Sequence, residues 1–221
     1  MTKPHGRKTK KKVSRILKLY HRPTAVAELE QIPDDWLTGP LFGHLYHKED
    51  LIRFRAAAAM GLLATRLSAR RMEKARIVLR RIMWNLNDES GGIGWGSPEA
   101  MGEILSLNPE LADEFKSILF SYLDPGGNYI EHEMLQRGVL WGIGTYLDAD
   151  PDALTCKTAD QLHGHLESDD PVKRGYALRA MKNATALPDR IPEEIRQDTS
   201  TVMIFDGWDL VSHRIKDITM S

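Results

Sequence analysis

Between Trp84 and Glu103 the chain reads WNLNDESGGIGWGSPEAMGE, setting two tryptophans, two asparagines, an acidic pair and a group of glycines between two helical patterns. Gly91, Gly92, Gly94 and Gly96 let backbone N–H groups approach a ligand closely. Asn85, Asn87, Asp88, Glu89 and Ser90 supply side-chain donors and acceptors beside them. The glycines do not form a phosphate loop, because no Gly-Lys-Ser or Gly-Lys-Thr follows, and the dinucleotide pattern GxGxxG is absent. Asp88 and Glu89 repel anions, so a cationic, amine-bearing or metal-bound partner suits this loop better than a phosphate. Trp84 and Trp95 either add an aromatic surface to such a site or pack on neighbouring helices.

A second group lies about one repeat further on, in GNYIEHEMLQRGVLW: Asn128, Glu131, His132, Gln136 and Arg137. His132 and Gln136 are four residues apart, as are Glu133 and Arg137, so each pair can share a helical stripe and the second can form an ion pair. Glu99 and Glu103, also four apart, are expected on the neighbouring helix. Asn87, Asp88, Glu89, Trp95 and Glu99 are then expected to border one concave site with Glu131, His132 and Gln136. Carboxylates and a histidine on facing helices are metal-ligand types. The spacing does not match known sites, however, since Glu-x-x-His and HExxH are both absent. No metal, no other cofactor and no catalytic residue is assigned. Cys156 stands alone, so no disulfide forms within the chain and a reducing cytoplasm is expected.

These residues must be positioned by helices. Phe115, Ile118, Leu119, Tyr122 and Leu123 fall at i, i+3, i+4, i+7 and i+8, and Val78, Leu79, Ile82, Met83 and Leu86 repeat the stripe. Ser97-Pro98 and Asp170-Pro171 mark helix starts, and Asp124 to Gly127 makes a turn. Self-comparison aligns DLIRFRAAAAMG with PVKRGYALRAM, and weaker copies lie between. Ala56, Ala100, Val139 and Ala177 thus become equivalent, at separations of 44, 39 and 38 residues. Four helix pairs follow, Leu41 to Leu67, Met72 to Leu105, Leu111 to Leu147 and Thr158 to Ala184, each with a second helix rich in small residues.

This pattern resembles the HEAT-like repeats of the armadillo-type α-solenoid superfamily over roughly Leu41 to Ala184. The strings WNLNDESGGIGWGSPEAMGEIL and GNYIEHEMLQRGVLWGIG are similar to those of a small group of uncharacterised bacterial HEAT-like proteins from anaerobic, sulfate-reducing organisms. The resemblance implies an all-α fold, a right-handed α-α superhelix of about four helix pairs. Phycobilin lyases and alkylpurine DNA glycosylases are enzymes with HEAT-like repeats, but the Trp-Trp-Asp string of the glycosylases is missing here.

The flanks differ from the array. Residues 1–12 read as a disordered basic arm, residues 13–187 as the repeat domain, and residues 188–221 as a cap. In the cap a short helix is expected at Glu193 to Gln197. Thr201 to Phe205 and Trp208 to Ile215, joined by Asp206-Gly207, predict a hairpin that closes the last helix pair. Through Arg81 the chain has 19 Lys and Arg against 7 Asp and Glu, and afterwards 11 against 24. Such an asymmetry attracts acidic partners to residues 3–22 and 53–81. No apolar run reaches the roughly 18 residues of a membrane span, and no secretory signal is recognised. The function expected is non-catalytic binding of a protein or peptide by the concave helix face and the Trp84 to Gly96 loop. An enzyme, or a metal- or small-ligand-binding protein with its site at that loop, remains an alternative, as does nucleic-acid binding by the basic half.

Overall fold

The computed structural model describes residues 6–87, 94–186 and 191–219. Its fold is all-α with one small hairpin near the C-terminus. The helices are α1 (Gly6–Leu17), α2 (Arg22–Glu30), α3 (Asp34–Leu45), α4 (Asp50–Leu86), α5 (Ser97–Leu107), α6 (Pro109–Ser121), α7 (Glu133–Ala149), α8 (Cys156–Gly164), α9 (Pro171–Asn183) and α10 (Glu193–Gln197). Strands β1 (Thr201–Asp206) and β2 (Asp209–Arg214), with short 3-10 turns at Pro151–Ala153, His165–Glu167 and Ile215–Asp217, complete the described elements.

The 37-residue α4 is two helices in one run: Arg71 at φ −155°, ψ 72° breaks the helical geometry. The break falls between Leu67 and Met72, where the sequence divides its first two pairs. The second members of the pairs, the first part of α4, then α5, α7 and α9, pack side by side in that order. Ala56, Ala100, Val139 and Ala177 are all fully buried. The tightest approach is made by glycines the repeat alignment does not single out. A Cβ on Gly102 would lie 2.4 Å from the Gly142 backbone, and one on Gly142 would lie 2.4 Å from the Pro98 carbonyl oxygen, so α5 and α7 meet backbone to backbone.

The basic arm is corrected in part. Residues 6–12 are the first turns of α1, while residues 1–5 lie outside the described residues. Val13, Ile16 and Leu17 form a buried stripe that holds α1 against α3, and the lysine-rich turns before them continue that helix. The apolar residues recur too sparsely in residues 6–12 for periodicity to reveal the helix.

The C-terminal hairpin is antiparallel, with Thr201 opposite Arg214 and Asp206 opposite Asp209. Its turn is Gly207-Trp208, one residue later than the expected Asp206-Gly207, with Gly207 at φ 61°. The shift frees Trp208 from the strand and lets it enter the core. The hairpin also reaches beyond the last helix pair. Tyr176 of α9 donates to the Met203 carbonyl at 2.9 Å, and the ring of Phe205 stacks on Phe54 of α4 at 5.5 Å. The Trp208 indole N–H donates to Leu19 O at 2.8 Å. The segment therefore ties the last second helix to the first and to the end of α1, contacting Phe54 and Tyr176, the two rings that flank Trp141.

Candidate functional site

The N-terminal ends of the second helices share one edge of the layer, and the first-to-second-helix connections converge there. Gly96 makes the seat of the first connection: a Cβ there would lie 2.8 Å from Arg53 Cγ and 2.9 Å from Leu45 O, so only a glycine lets this turn sit on α3 and α4. A Cβ on Gly94 would lie 3.0 Å from Asn85 Cβ, so this glycine lets the last turn of α4 meet the start of α5 closely. The half-buried Trp95 then meets His132 edge to face, with ring centroids 5.3 Å apart, across to the start of α7. Tyr129 is linked to the same turn through Gln136, whose Nε2 donates to the Tyr129 hydroxyl at 2.6 Å. Trp84 is 75% exposed beside Asn85, and Tyr129 and Met134 are also exposed. The Trp95–His132 contact thus joins the second and third helix pairs, with Trp84 exposed on the last turn of α4.

Below this edge lies Glu99, 6% exposed, on the first turn of α5. Its carboxylate packs over Gly138, where a Cβ would come within 2.7 Å of Oε2. The nearest cation, Arg53 Nε, is 3.9 Å from Oε1, too far for a hydrogen bond. Arg53 turns instead to Asp50 at 2.9 Å. Glu99 Oε2 and Arg53 Nε are both buried without a hydrogen-bond partner. Burial pushes the Glu99 carboxyl up to about 7, against the pull of Arg53. Glu103, one turn along, is likewise pushed up to about 7 by burial, with Arg179 and Arg22 opposing.

Between about pH 4.5 and 7 the native state therefore keeps protons on Glu99 and Glu103 that the unfolded chain has released. Where the native state binds more protons, stability falls as pH rises. Each carboxyl's contribution is fully present below about pH 4.5 and is lost as pH rises through about 7, a change of roughly 3 kcal/mol apiece. Urea denaturation at pH 5 and pH 8.5 checks this. The variant Glu99→Gln, which keeps the neutral shape, should match the parent at pH 5 and exceed it at pH 8.5. Equal pH dependence in the two proteins would show that Glu99 ionises freely.

The other residues expected at the site divide. Asn85 is half-buried, and Asn87 ends α4 exposed. Asp88, Glu89 and Ser90 lie outside the described residues, as do Gly91 and Gly92. Glu131 and His132 are exposed on the edge, and Asn128 donates to Ser121 Oγ at 2.9 Å. Gln136 does not face a ligand. It is buried, donates to Ile130 O at 2.9 Å and accepts from Lys173 Nζ at 2.5 Å, bracing α7 against α9. The expected Glu133–Arg137 pair is replaced by bonds between neighbouring helices: Arg137 reaches Asp170 at 2.6 Å, and Lys173 binds Glu133. Helix stripes bring i and i+4 together, but the neighbouring second helix offers these side chains better-buried partners. Among the described residues, no group of three or more His, Cys, Asp or Glu side chains is placed to hold a metal ion.

Sequence reasoning missed two arginines that matter to this layer. Arg55, 1% exposed, donates to Trp208 O at 2.7 Å and Leu17 O at 2.9 Å, and Arg179 lies 3.9 Å over the Trp141 ring. In the sequence Arg55 counts only as part of a basic cluster and Arg179 has no assigned role, and only the long-range packing of the hairpin and of Trp141 accounts for them.

No protein-family model matches the chain. It is 30% identical over 182 residues to an uncharacterised protein of Archaeoglobus fulgidus, an alignment that spans 80% of this chain and 91% of that protein. Among solved structures, the crystal structure of an engineered protein is similar at a TM-score of 0.43 and 15% identity, covering 80% of this chain and 79% of that one.

Proposed function

The chain belongs to the same family as the Archaeoglobus fulgidus protein, and we propose that it is a non-catalytic HEAT-like module that binds a segment of a partner protein along its aromatic edge. The observation that carries this reading is the contact of Trp95 with His132, which links two successive repeats into one surface beside the exposed Trp84. Tryptophan is enriched among the hot-spot residues of binding surfaces. The hairpin packs on Phe54 and Tyr176, so the second-helix face is less suited to a partner than the edge. Asp50, Glu131 and Glu133 are accessible around that edge. Aromatic faces ringed by carboxylates suit a segment carrying Arg or Lys.

A lone exposed Cys156 supports a reducing, cytoplasmic setting for this module. No helix of the described residues is long and apolar enough to cross a membrane.

Site-specific photocrosslinking in the native cell tests the reading. A photoreactive residue at position 84 should give a discrete protein adduct that the same residue at position 107, at the far end of α5, does not. The adduct peptide should be rich in Arg or Lys. Equal labelling from both positions, or no adduct from position 84, would overturn the proposal.

A further inference from the structure

The two basic clusters of the sequence have different fates in the fold. The cluster from Arg53 to Arg81 is largely neutralised internally: Arg66 pairs with Asp34 at 2.7 Å, Arg76 with Glu114 at 2.6 Å and Arg80 with Glu73 at 2.5 Å, while Arg55 is buried. The cluster on α1 is not. Arg15 pairs with Glu28, and among the described residues no carboxylate pairs with Arg7, Lys8, Lys11, Lys12 or Lys18.

We propose that the exposed face of α1, continued by Tyr20, binds single-stranded nucleic acid. At about 100° per residue, Arg7, Lys8, Lys11, Arg15 and Lys18 fall on the side of the helix opposite the buried stripe of Val13, Ile16 and Leu17. Arg7, Lys11, Arg15 and Lys18 follow one another at about one turn each, and all but Arg15, which Glu28 neutralises, make an unpaired cationic ridge along the helix. Such a ridge tracks a phosphate backbone and releases its counterions.

Tyr20 selects among polyanions. It is 87% exposed just beyond the C-terminal end of α1, and it offers a ring on which an unpaired base can stack. In a duplex the bases already stack on one another and present no such face. A bilayer is a poor match, because the apolar stripe of α1 is already buried in the protein and has none left to enter lipid. After Arg81 the chain carries 24 acids against 11 bases, which repels a strand from the rest of the surface and confines it to α1.

The test uses the full chain with a fluorescent 20-nucleotide oligo-U, a 20-base-pair duplex and phosphatidylserine vesicles, at several salt concentrations. Oligo-U should bind more tightly than the duplex, with affinity falling as salt rises. The double variant Lys8→Glu, Lys11→Glu should bind oligo-U at least tenfold more weakly, with a shallower salt dependence and an unchanged melting temperature. Tyr20→Ala should weaken oligo-U roughly tenfold and leave the duplex unaffected. The assignment is overturned if oligo-U does not bind at low salt, if the charge-reversed variant binds it equally well, if Tyr20→Ala is without effect, or if duplex or vesicles bind more tightly than oligo-U.

Discussion

Gly142→Ala is expected to destabilise the protein by about 3 kcal/mol, although alanine is the better helix former by up to about 1 kcal/mol. The sign is set by packing. A methyl group on Gly142 would lie 2.4 Å from the Pro98 carbonyl oxygen, and the facing Gly102 offers no room on the other side, because its own Cβ direction points into the Gly142 backbone. Both obstacles are main chain, so no side-chain rotation relieves them. The helices must separate, and Ala100, Met101 and Val139, all fully buried near this contact, lose packing as they do. Gly164→Ala is the control, since nothing lies within 4 Å of a Cβ there. Its effect should stay within about 0.5 kcal/mol. Equilibrium denaturation of both variants decides the matter: if Gly142→Ala is as stable as the parent, α5 and α7 do not meet at these glycines and the helix-pair register is wrong.

Removing the Trp208 side chain should cost about 3–5 kcal/mol. Trp208 is 5% exposed, and its ring lies 5.4 Å from the Arg55 guanidinium. Its indole N–H holds Leu19 O, and its backbone oxygen accepts from Arg55. Trp208→Ala leaves a cavity between the first helices and the hairpin, beside an arginine whose Nη2 is already buried without a partner. Trp208→Phe keeps most of the volume and loses the Leu19 bond, and should cost about 1 kcal/mol beyond any loss of ring area. A change below 1 kcal/mol in Trp208→Ala would mean that the hairpin is not docked across the helices.

The helix pairs were legible because they depend on local signals. Small residues at Ala56, Ala100 and Ala177, and the proline starts at Pro98 and Pro171, are chemical requirements of close helices and helix N-termini. The hairpin was legible from its β-branched and aromatic runs, but its turn was placed one residue early, because Asp-Gly satisfies a two-residue turn as readily as Gly-Trp does when Trp208 is drawn into the core. Where the hairpin docks was not legible, since Arg55 and Trp208 are 153 residues apart and neither carries a motif. At the candidate site, the sequence places Trp95 and His132 together, and their rings are in contact. It misjudged Gln136 and Arg137, whose partners Lys173 and Asp170 sit on the next second helix and compete successfully with neighbours one turn away. Residues 6–12, the first turns of α1, were misjudged because they carry no apolar stripe of their own.

The claim that function resides at the aromatic edge is tested most directly by Trp84→Ala. Trp84 is three-quarters exposed, so its removal should leave the melting temperature within about 2 °C of the parent. Titration of the parent and variant with the Arg- or Lys-rich peptide identified by crosslinking should show at least a tenfold loss of affinity in the variant. Equal affinity at equal stability would contradict the account and move the binding surface away from this edge.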